Sequence, residues 1–246
     1  MTRTRLLAIV ATVATLGAAG VAIRSTLSAP SRLAVVQFRT DAPLGAEGWG
    51  SRPSRRPSER SRKPEWPRVD WRESTAHGVP AAGSLSGGVL LPREGPHHFT
   101  WDPIKRVSPS PAWRRWGTDD VVRTVLGVLR GFARAHPGAA RLGIGDLSLK
   151  HGGNFGAEVG GGIGHATHQN GLDADIYYPL RSKAERPPET VGEVDLRLAQ
   201  DLVDRFVRAG AVTVYVGPNT PLTGPRGVVV PLIHHDNHLH VRIAAD

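Results

Sequence analysis

Two short segments of the chain alternate apolar and polar residues with the two-residue period of a β-strand. The segment HLHVRI, residues 238–243, places two histidines and an arginine on one face and three aliphatic residues on the other. In LDADIYY, residues 172–178, two aspartates and a tyrosine share one face in the same way. Because the apolar faces can be buried against helices, the titratable side chains of both strands are left on the opposite face of a sheet.

Two helices are predicted from apolar residues at helical spacing, over residues 118–136 and 193–209. Thr118 is a suitable N-cap for the first helix, and Gly210 is a C-cap candidate for the second. The predicted strands lie at residues 141–149, 172–178, 211–217 and 238–243. Short connections and the excess of strands late in the chain predict an α+β domain, with a central, mostly antiparallel sheet flanked by helices.

The N-terminal part of the chain differs in composition from the remainder. A basic start, MTRTR, precedes residues 6–23, which carry no charge, and this pattern indicates a signal peptide or membrane anchor over residues 1–29. Residues 30–74 are rich in Pro, Arg and Ser and are predicted to form a basic, disordered linker. A single folded domain is predicted over residues 75–246. The protein is therefore expected to be exported, and residues 6–23 favour an uncleaved anchor.

Charge and cysteine content restrict the classes of partner and site. The chain has a formal net charge of +9, which favours polyanionic partners such as nucleic acid or an anionic cell envelope. Much of this charge lies in residues 51–72, inside the predicted linker, where a solvated spacer is the simpler interpretation. The sequence contains no cysteine, which excludes thiolate metal sites, cysteine nucleophiles and disulfides.

Six of the eleven histidines lie within or just before the strands predicted at residues 172–178 and 238–243. If these strands are neighbours, Asp175 and His240 converge, and His168 can fold back over the same point. Two imidazoles and a carboxylate form the ligand set of a catalytic zinc ion, with a fourth position left for water. On the same face, His238 is placed to orient that water or to stabilise an oxyanion. The six clustered histidines, out of eleven in the chain, are His165, His168, His234, His235, His238 and His240.

The alternative is that these are ordinary surface or core histidines and that Asp-x-Asp is a turn. The clustering of six histidines in two windows weakens this alternative without removing it.

The motifs GHATHQNGLDADIY and HDNHLHVR resemble those of the penicillin-insensitive murein endopeptidases. That family belongs to a wider group of lysostaphin-like and D-Ala-D-Ala metallopeptidases, which also includes the hedgehog signalling domain. The segments GSLSGGVLLPREG, WGTDDVV and GDLSLKHGG extend the resemblance to about residues 83–243. Residues 154–161, NFGAEVGG, depart from the family pattern as a short insertion.

The resemblance implies roles for nine residues around one catalytic Zn²⁺ ion. Those implied to lie at the metal are His168, Asp175 and His240 as ligands, with His165 as an additional histidine. Those implied to act in catalysis are His238 and, in support, His235. Those implied to bind substrate in the cleft are Asp146, Ser148 and Lys150, for which a polar turn is an equally open interpretation.

The implied function is hydrolysis of peptide cross-links in peptidoglycan, of the D-alanine to meso-diaminopimelate type. Three alternatives stay open: a D-Ala-D-Ala-type carboxypeptidase or dipeptidase, a non-catalytic zinc-containing wall-binding module, and a nucleic-acid-binding protein. The expected partners are peptidoglycan peptides, anionic wall polymers at the basic linker, and a membrane at the N-terminal segment. Nucleic acid is not expected as a partner, because export argues against it.

Overall fold

The computed structural model describes residues 66–162 and 164–245. The predicted signal or anchor segment, residues 1–29, lies outside this range, as does the predicted linker up to residue 65. Within the described residues, no helix combines the length and the apolar character that crossing a membrane requires.

The described residues form short strands, two α-helices and two single-turn 3₁₀ helices. In chain order the strands are β1 Thr75–Val79, β2 Ala82–Ser86, β3 Val89–Leu90, β4 His98–Thr100, β5 Trp116–Gly117, β6 Leu142–Ile144, β7 Asp173–Tyr177, β8 Ala211–Val216, β9 Val229–Pro231 and β10 His238–Ile243. The helices are α1 Asp119–Ala135 and α2 Leu196–Arg208, with 3₁₀ turns at Ala112–Arg114 and Val191–Glu193.

A six-stranded sheet forms the centre of the fold, in the order β4-β6-β7-β10-β8-β9. The three inner pairings are antiparallel. The two outer pairings, of β4 with β6 and of β8 with β9, are parallel. The predicted α+β architecture with a mostly antiparallel sheet is therefore confirmed.

Both α-helices begin at the side-chain caps that their sequences provide. The Thr118 hydroxyl accepts a hydrogen bond from the Val121 N–H at 3.2 Å, which satisfies one free donor of the first turn of α1. At α2, the Asp195 carboxylate accepts from the Leu198 N–H at 3.0 Å. Gly210 follows α2 with φ of +88°, the left-handed conformation that commonly ends a helix. The second helix begins later than predicted because residues 191–193 form a separate 3₁₀ turn.

One face of the sheet packs against the helices. Ala174 and Ile176 of β7 and Leu239 and Val241 of β10 are fully buried in a single core with apolar residues of α1 and α2. The intervening side chains of both strands therefore project from the other face, as the period of two requires. This alternation separates the hydrophobic core from the titratable side chains.

The strand predicted over residues 141–149 is shorter than expected, because only Leu142–Ile144 is regular. Beyond it the backbone changes partners. The Leu147 N–H donates to the Arg114 carbonyl at 2.9 Å, and Ser148 forms an isolated bridge with Trp116. Gly145 and Asp146 still bond to the backbone of Asp175, in the middle of β7, which brings the Asp146 side chain close to the titratable face.

Candidate metal centre

The candidate centre lies where β7 and β10 run side by side in the middle of the sheet. Their antiparallel register sets Asp175 opposite His240, and Tyr177 opposite His238. Asp175 and His240 are nearly completely buried even though they lie on the face away from the helices. The strands β7 and β10 are therefore neighbours, as the predicted convergence of Asp175 and His240 required.

Three ligand atoms meet at this point with nearly equal spacing. Nε2 of His168 lies 3.3 Å from Oδ1 of Asp175 and 3.1 Å from Nδ1 of His240, and that Nδ1 lies 3.2 Å from the same Oδ1. A tetrahedral zinc site with ligand distances of roughly 2.0–2.1 Å has edges of roughly 3.3–3.4 Å. The three atoms thus form a triangle of the size that one face of such a site needs.

Neighbouring groups fix which ring nitrogens face the centre. Nδ1 of His168 donates to the Leu147 carbonyl, which leaves the lone pair of Nε2 directed at Asp175. On the other histidine, Nε2 of His240 lies 3.3 Å from Oδ1 of Asp173, and Nδ1 faces Nε2 of His168 and Oδ1 of Asp175. Among the described residues, buried Oδ1 of Asp175 has no hydrogen-bond donor. A cation would satisfy this oxygen, so the donor set fits a metal ion.

The electrostatics of the cluster favour positive charge. Burial opposes ionisation of Asp175, yet the nearby His168 and His238 hold the pKa of its carboxyl well below the usual range. Burial likewise disfavours protonated His240, but Asp173 and Asp175 together raise its pKa to about 9. The two carboxylates thus stabilise a cation here, and a divalent ion supplies that charge without a proton.

Asp173 supports the cluster from behind. This fully buried carboxylate accepts hydrogen bonds from Arg242 at 2.7 and 3.1 Å and from the backbone N–H of His168 at 2.9 Å. The last bond holds His168 in a left-handed conformation, with φ of +67°. Asp173 therefore holds the backbone of His168 and places a negative charge 3.3 Å behind Nε2 of His240, the position that carboxylates behind metal-binding histidines commonly take.

Replacing Asp173 by Asn should weaken metal binding by about 10- to 100-fold, since it removes the negative charge behind Nε2 of His240. Competition against a chelator of known affinity measures the change. Asp204→Asn, which alters a carboxylate on α2 outside the centre, is the matched control and should bind metal as the wild type does. Unchanged affinity in Asp173→Asn would contradict the supporting role.

His165 approaches the cluster from the side and is held by a buried ion pair. Its Nε2 lies 2.7 Å from Oδ2 of Asp146, and its Nδ1 lies 3.8 Å from Oδ2 of Asp175. The same Oδ2 of Asp146 accepts from Nη1 of Arg114 at 2.5 Å, and Arg114 is fully buried. The ligand atoms of His165, His168 and Asp175 lie within 4.8 Å of one another, so His165 can join the metal group through Nδ1.

His238 and His235 flank the opposite side of the cluster. Nε2 of His238 lies 3.8 Å from Oδ1 of Asp175, while its Nδ1 donates to Oδ1 of Asn237 at 2.6 Å. Burial lowers the pKa of His238 to about 4, so its imidazole is neutral near pH 7. Burial also lowers the pKa of His235, whose ring centroid lies 4.8 Å from that of His238. His234, by contrast, is exposed.

The three residues predicted to bind substrate differ in exposure. Asp146 and Ser148 are buried, and the Asp146 carboxylate is engaged by Arg114 and His165. Only Lys150 is exposed, with Nζ 5.7 Å from the centroid of the Trp116 ring. Their roles in substrate binding stay predictions.

Sequence reasoning did not identify Arg114. It stands in the segment AWRRW, where arginines between tryptophans match no metal or catalytic motif. The signal available was the unusual combination of two adjacent arginines with aromatic neighbours, which is compatible with burial by stacking. Arg114 in fact lies 4.4 Å from the centroid of the Trp113 ring and 5.5 Å from that of Phe155.

The family model for penicillin-insensitive murein endopeptidase matches residues 76–208, more than half of the chain. This range includes His168 and Asp175 but ends before β10, so only the fold joins His240 to the matched part. No curated protein sequence matches the chain. From the extent of the family match, the chain belongs to the penicillin-insensitive murein endopeptidase family, whose members are peptidases that act on peptidoglycan.

Proposed function

We propose that this chain is a zinc-dependent endopeptidase that hydrolyses D-alanine to meso-diaminopimelate cross-links of peptidoglycan. The observation that carries the proposal is the buried triangle of His168 Nε2, Asp175 Oδ1 and His240 Nδ1, with edges of 3.1–3.3 Å. Two imidazoles and one carboxylate, with no sulfur ligand, suit a catalytic zinc ion. His165 is the additional histidine at the same ion.

When bound, zinc supplies Lewis-acid activation of water at neutral pH. The protein's own part is to position the substrate carbonyl and to move protons. His238 is the proposed general base and acid, because its Nδ1–H is held by Asn237 and its Nε2 is free to take a proton. His235 packs beside it and supports its orientation.

Metal removal tests the proposal directly. Protein stripped with a chelator should lose cleavage of defined cross-linked muropeptides, and added Zn²⁺ should restore it, since the ion is required for water activation. Mass spectrometry of the fragments identifies the bond cut. Cleavage of the same substrate by verified metal-free protein would contradict the proposal.

The same digestion separates the alternatives within the group. A D-Ala-D-Ala-type carboxypeptidase or dipeptidase would release terminal D-alanine from uncross-linked peptides and leave cross-links intact. A non-catalytic wall-binding module would bind peptides without turnover. The neutral, partly buried His238 beside the candidate ion favours an enzyme, because a structural metal site needs no proton acceptor.

Action on murein indicates an extracytoplasmic location. We propose that residues 1–29 direct export or anchor the protein in the cytoplasmic membrane through residues 6–23. The basic residues 30–74 would lie against anionic wall polymers, with the catalytic domain at residues 75–246. These assignments rest on the charge and hydropathy of the sequence.

A further inference from the structure

A cavity of about 570 Å³ lies beside the candidate metal centre. Two residues that line the cavity adjoin the centre: Tyr177 on β7, and Asn237 immediately before β10. Tyr177 follows Asp175 by two residues on β7, and Asn237 directly precedes His238 and accepts its Nδ1–H. A peptide with its scissile bond at the ion would therefore extend a neighbouring residue into this cavity.

The Tyr177 ring packs closely against Gly143 of β6 and against Gly145, where a side chain would meet the ring. A Cβ atom at Gly143 would lie 3.0 Å from Cδ2 of the ring, and one at Gly145 would lie 3.4 Å from Cζ. On its other side, the ring centroid lies 6.1 Å from that of His238. Tyr177 thus forms a closely packed wall between the cavity and the candidate centre.

The other walls of the cavity include one aromatic side chain and two guanidinium groups. Trp101 offers apolar surface, while Arg106 and Arg186 come from two loops far apart in sequence. Arg106 bonds to Glu189 at 2.7 Å across the cavity lining, and both side chains of this pair are more than half exposed. Exposed ion pairs add little net stability, so a carboxylate of the substrate can take the place of Glu189.

Arg186 is also paired, with Glu193 at 2.7 and 3.1 Å, but Glu193 does not line the cavity. The charged side chains that line it are Arg106, Arg186 and Glu189, and the exposed Arg106–Glu189 pair is the one in which both partners face the cavity. Guanidinium groups recognise carboxylates through two parallel hydrogen bonds. A ligand with a carboxylate on an aliphatic chain would place the chain on Trp101 and the charge at Arg106.

We infer that this cavity is a carboxylate-binding subsite that selects cross-links with a free carboxylate next to the scissile nitrogen. The inference rests on the proposed function and deepens it by naming the recognised group. On the amino side of the proposed bond, meso-diaminopimelate carries such a carboxylate on an aliphatic chain. A cross-link whose diaminopimelate carboxylate is amidated would be a poor substrate.

The test compares two cross-linked muropeptides that differ only in this group, as free acid or as carboxamide. The wild type should cleave the acid with kcat/KM about 10- to 100-fold higher, because a hydrogen-bonded charge is lost in the amide. Arg106→Gln should bring the acid-to-amide ratio close to one, mainly through a higher KM for the acid. Arg123→Gln, at an exposed arginine of α1 paired with Asp119, is the matched control and should keep the preference.

Calorimetric titration of the metal-free protein with both peptides gives a second readout, in which the acid should bind more tightly. Equal cleavage of both substrates by the wild type would overturn the subsite and leave the proposed function intact. A preference that survives in both Arg106→Gln and Arg186→Gln would also overturn it. Cleavage of neither peptide would overturn the proposed function, and equal binding in the titration would then overturn the subsite as well.

Discussion

The His168→Ala variant is expected to lose bound zinc and muropeptide cleavage together. His168 is fully buried, and its Nε2 lies 3.3 Å from Oδ1 of Asp175 and 3.1 Å from Nδ1 of His240, so its removal leaves two of the three proposed main ligands. Cleavage should fall by at least roughly 10³-fold, since metal activation of water is worth several kcal/mol. Metal content after gel filtration and digestion of cross-linked muropeptides measure the two losses.

His238→Ala is the control that separates metal binding from proton transfer. Because the side chain of His238 is not one of the three main ligands, this variant should retain zinc and lose about 10²- to 10⁴-fold in cleavage. A His168→Ala protein with full activity would refute the assignment of the centre. Equal loss of zinc in both variants would refute the division of roles between the two histidines.

Arg114→Met is expected to destabilise the fold by about 3–5 kcal/mol, which is typical when one partner of a buried ion pair is removed. Arg114 and Asp146 are both almost fully buried, so the substitution leaves the Asp146 carboxylate without its cation. It also removes the stacking of the guanidinium on Trp113. Urea denaturation of the metal-free protein measures the change in the free energy of unfolding.

Two further variants identify the cause of that loss. Arg123→Met removes an exposed arginine of α1 that pairs with Asp119 and stacks on Trp71, and it should change the free energy of unfolding by about 1 kcal/mol or less. Adding Asp146→Asn to Arg114→Met should recover part of the stability, because no charge is then left buried alone. A small effect of Arg114→Met, similar to that of Arg123→Met, would show that the pair is not a structural requirement.

The elements with a strong local pattern could be predicted from the sequence. The bounds of β10 coincide with the alternating segment HLHVRI, and α1 begins after Thr118 because the cap and the apolar stripe agree. The two-residue period of each strand predicted which side chains share a face, and the pairing of β7 with β10 places Asp175 and His240 side by side on that face. These features depend on local geometry, which a sequence pattern expresses directly.

Features that depend on tertiary partners could not be predicted. The edge strands β4 and β9 have three residues each, too few for a recognisable period, and they pair in parallel with distant segments. Arg114 is buried because Asp146 lies opposite to it, 32 residues away in the sequence. The strand predicted at residues 141–149 was too long because the backbone exchanges its partner on β7 for Arg114 at Leu147, and this exchange leaves no mark in composition.

The position of β10 in the sheet has a consequence for how the protein matures. This strand is later in the sequence than any other strand of the sheet, yet it is inserted between β7 and β8. A nascent chain, synthesised from its N-terminus, therefore has a gap in the middle of its sheet and lacks His240 until β10 emerges. A chain that ended before β10 would therefore lack both the strand that joins the two halves of the sheet and the proposed ligand His240.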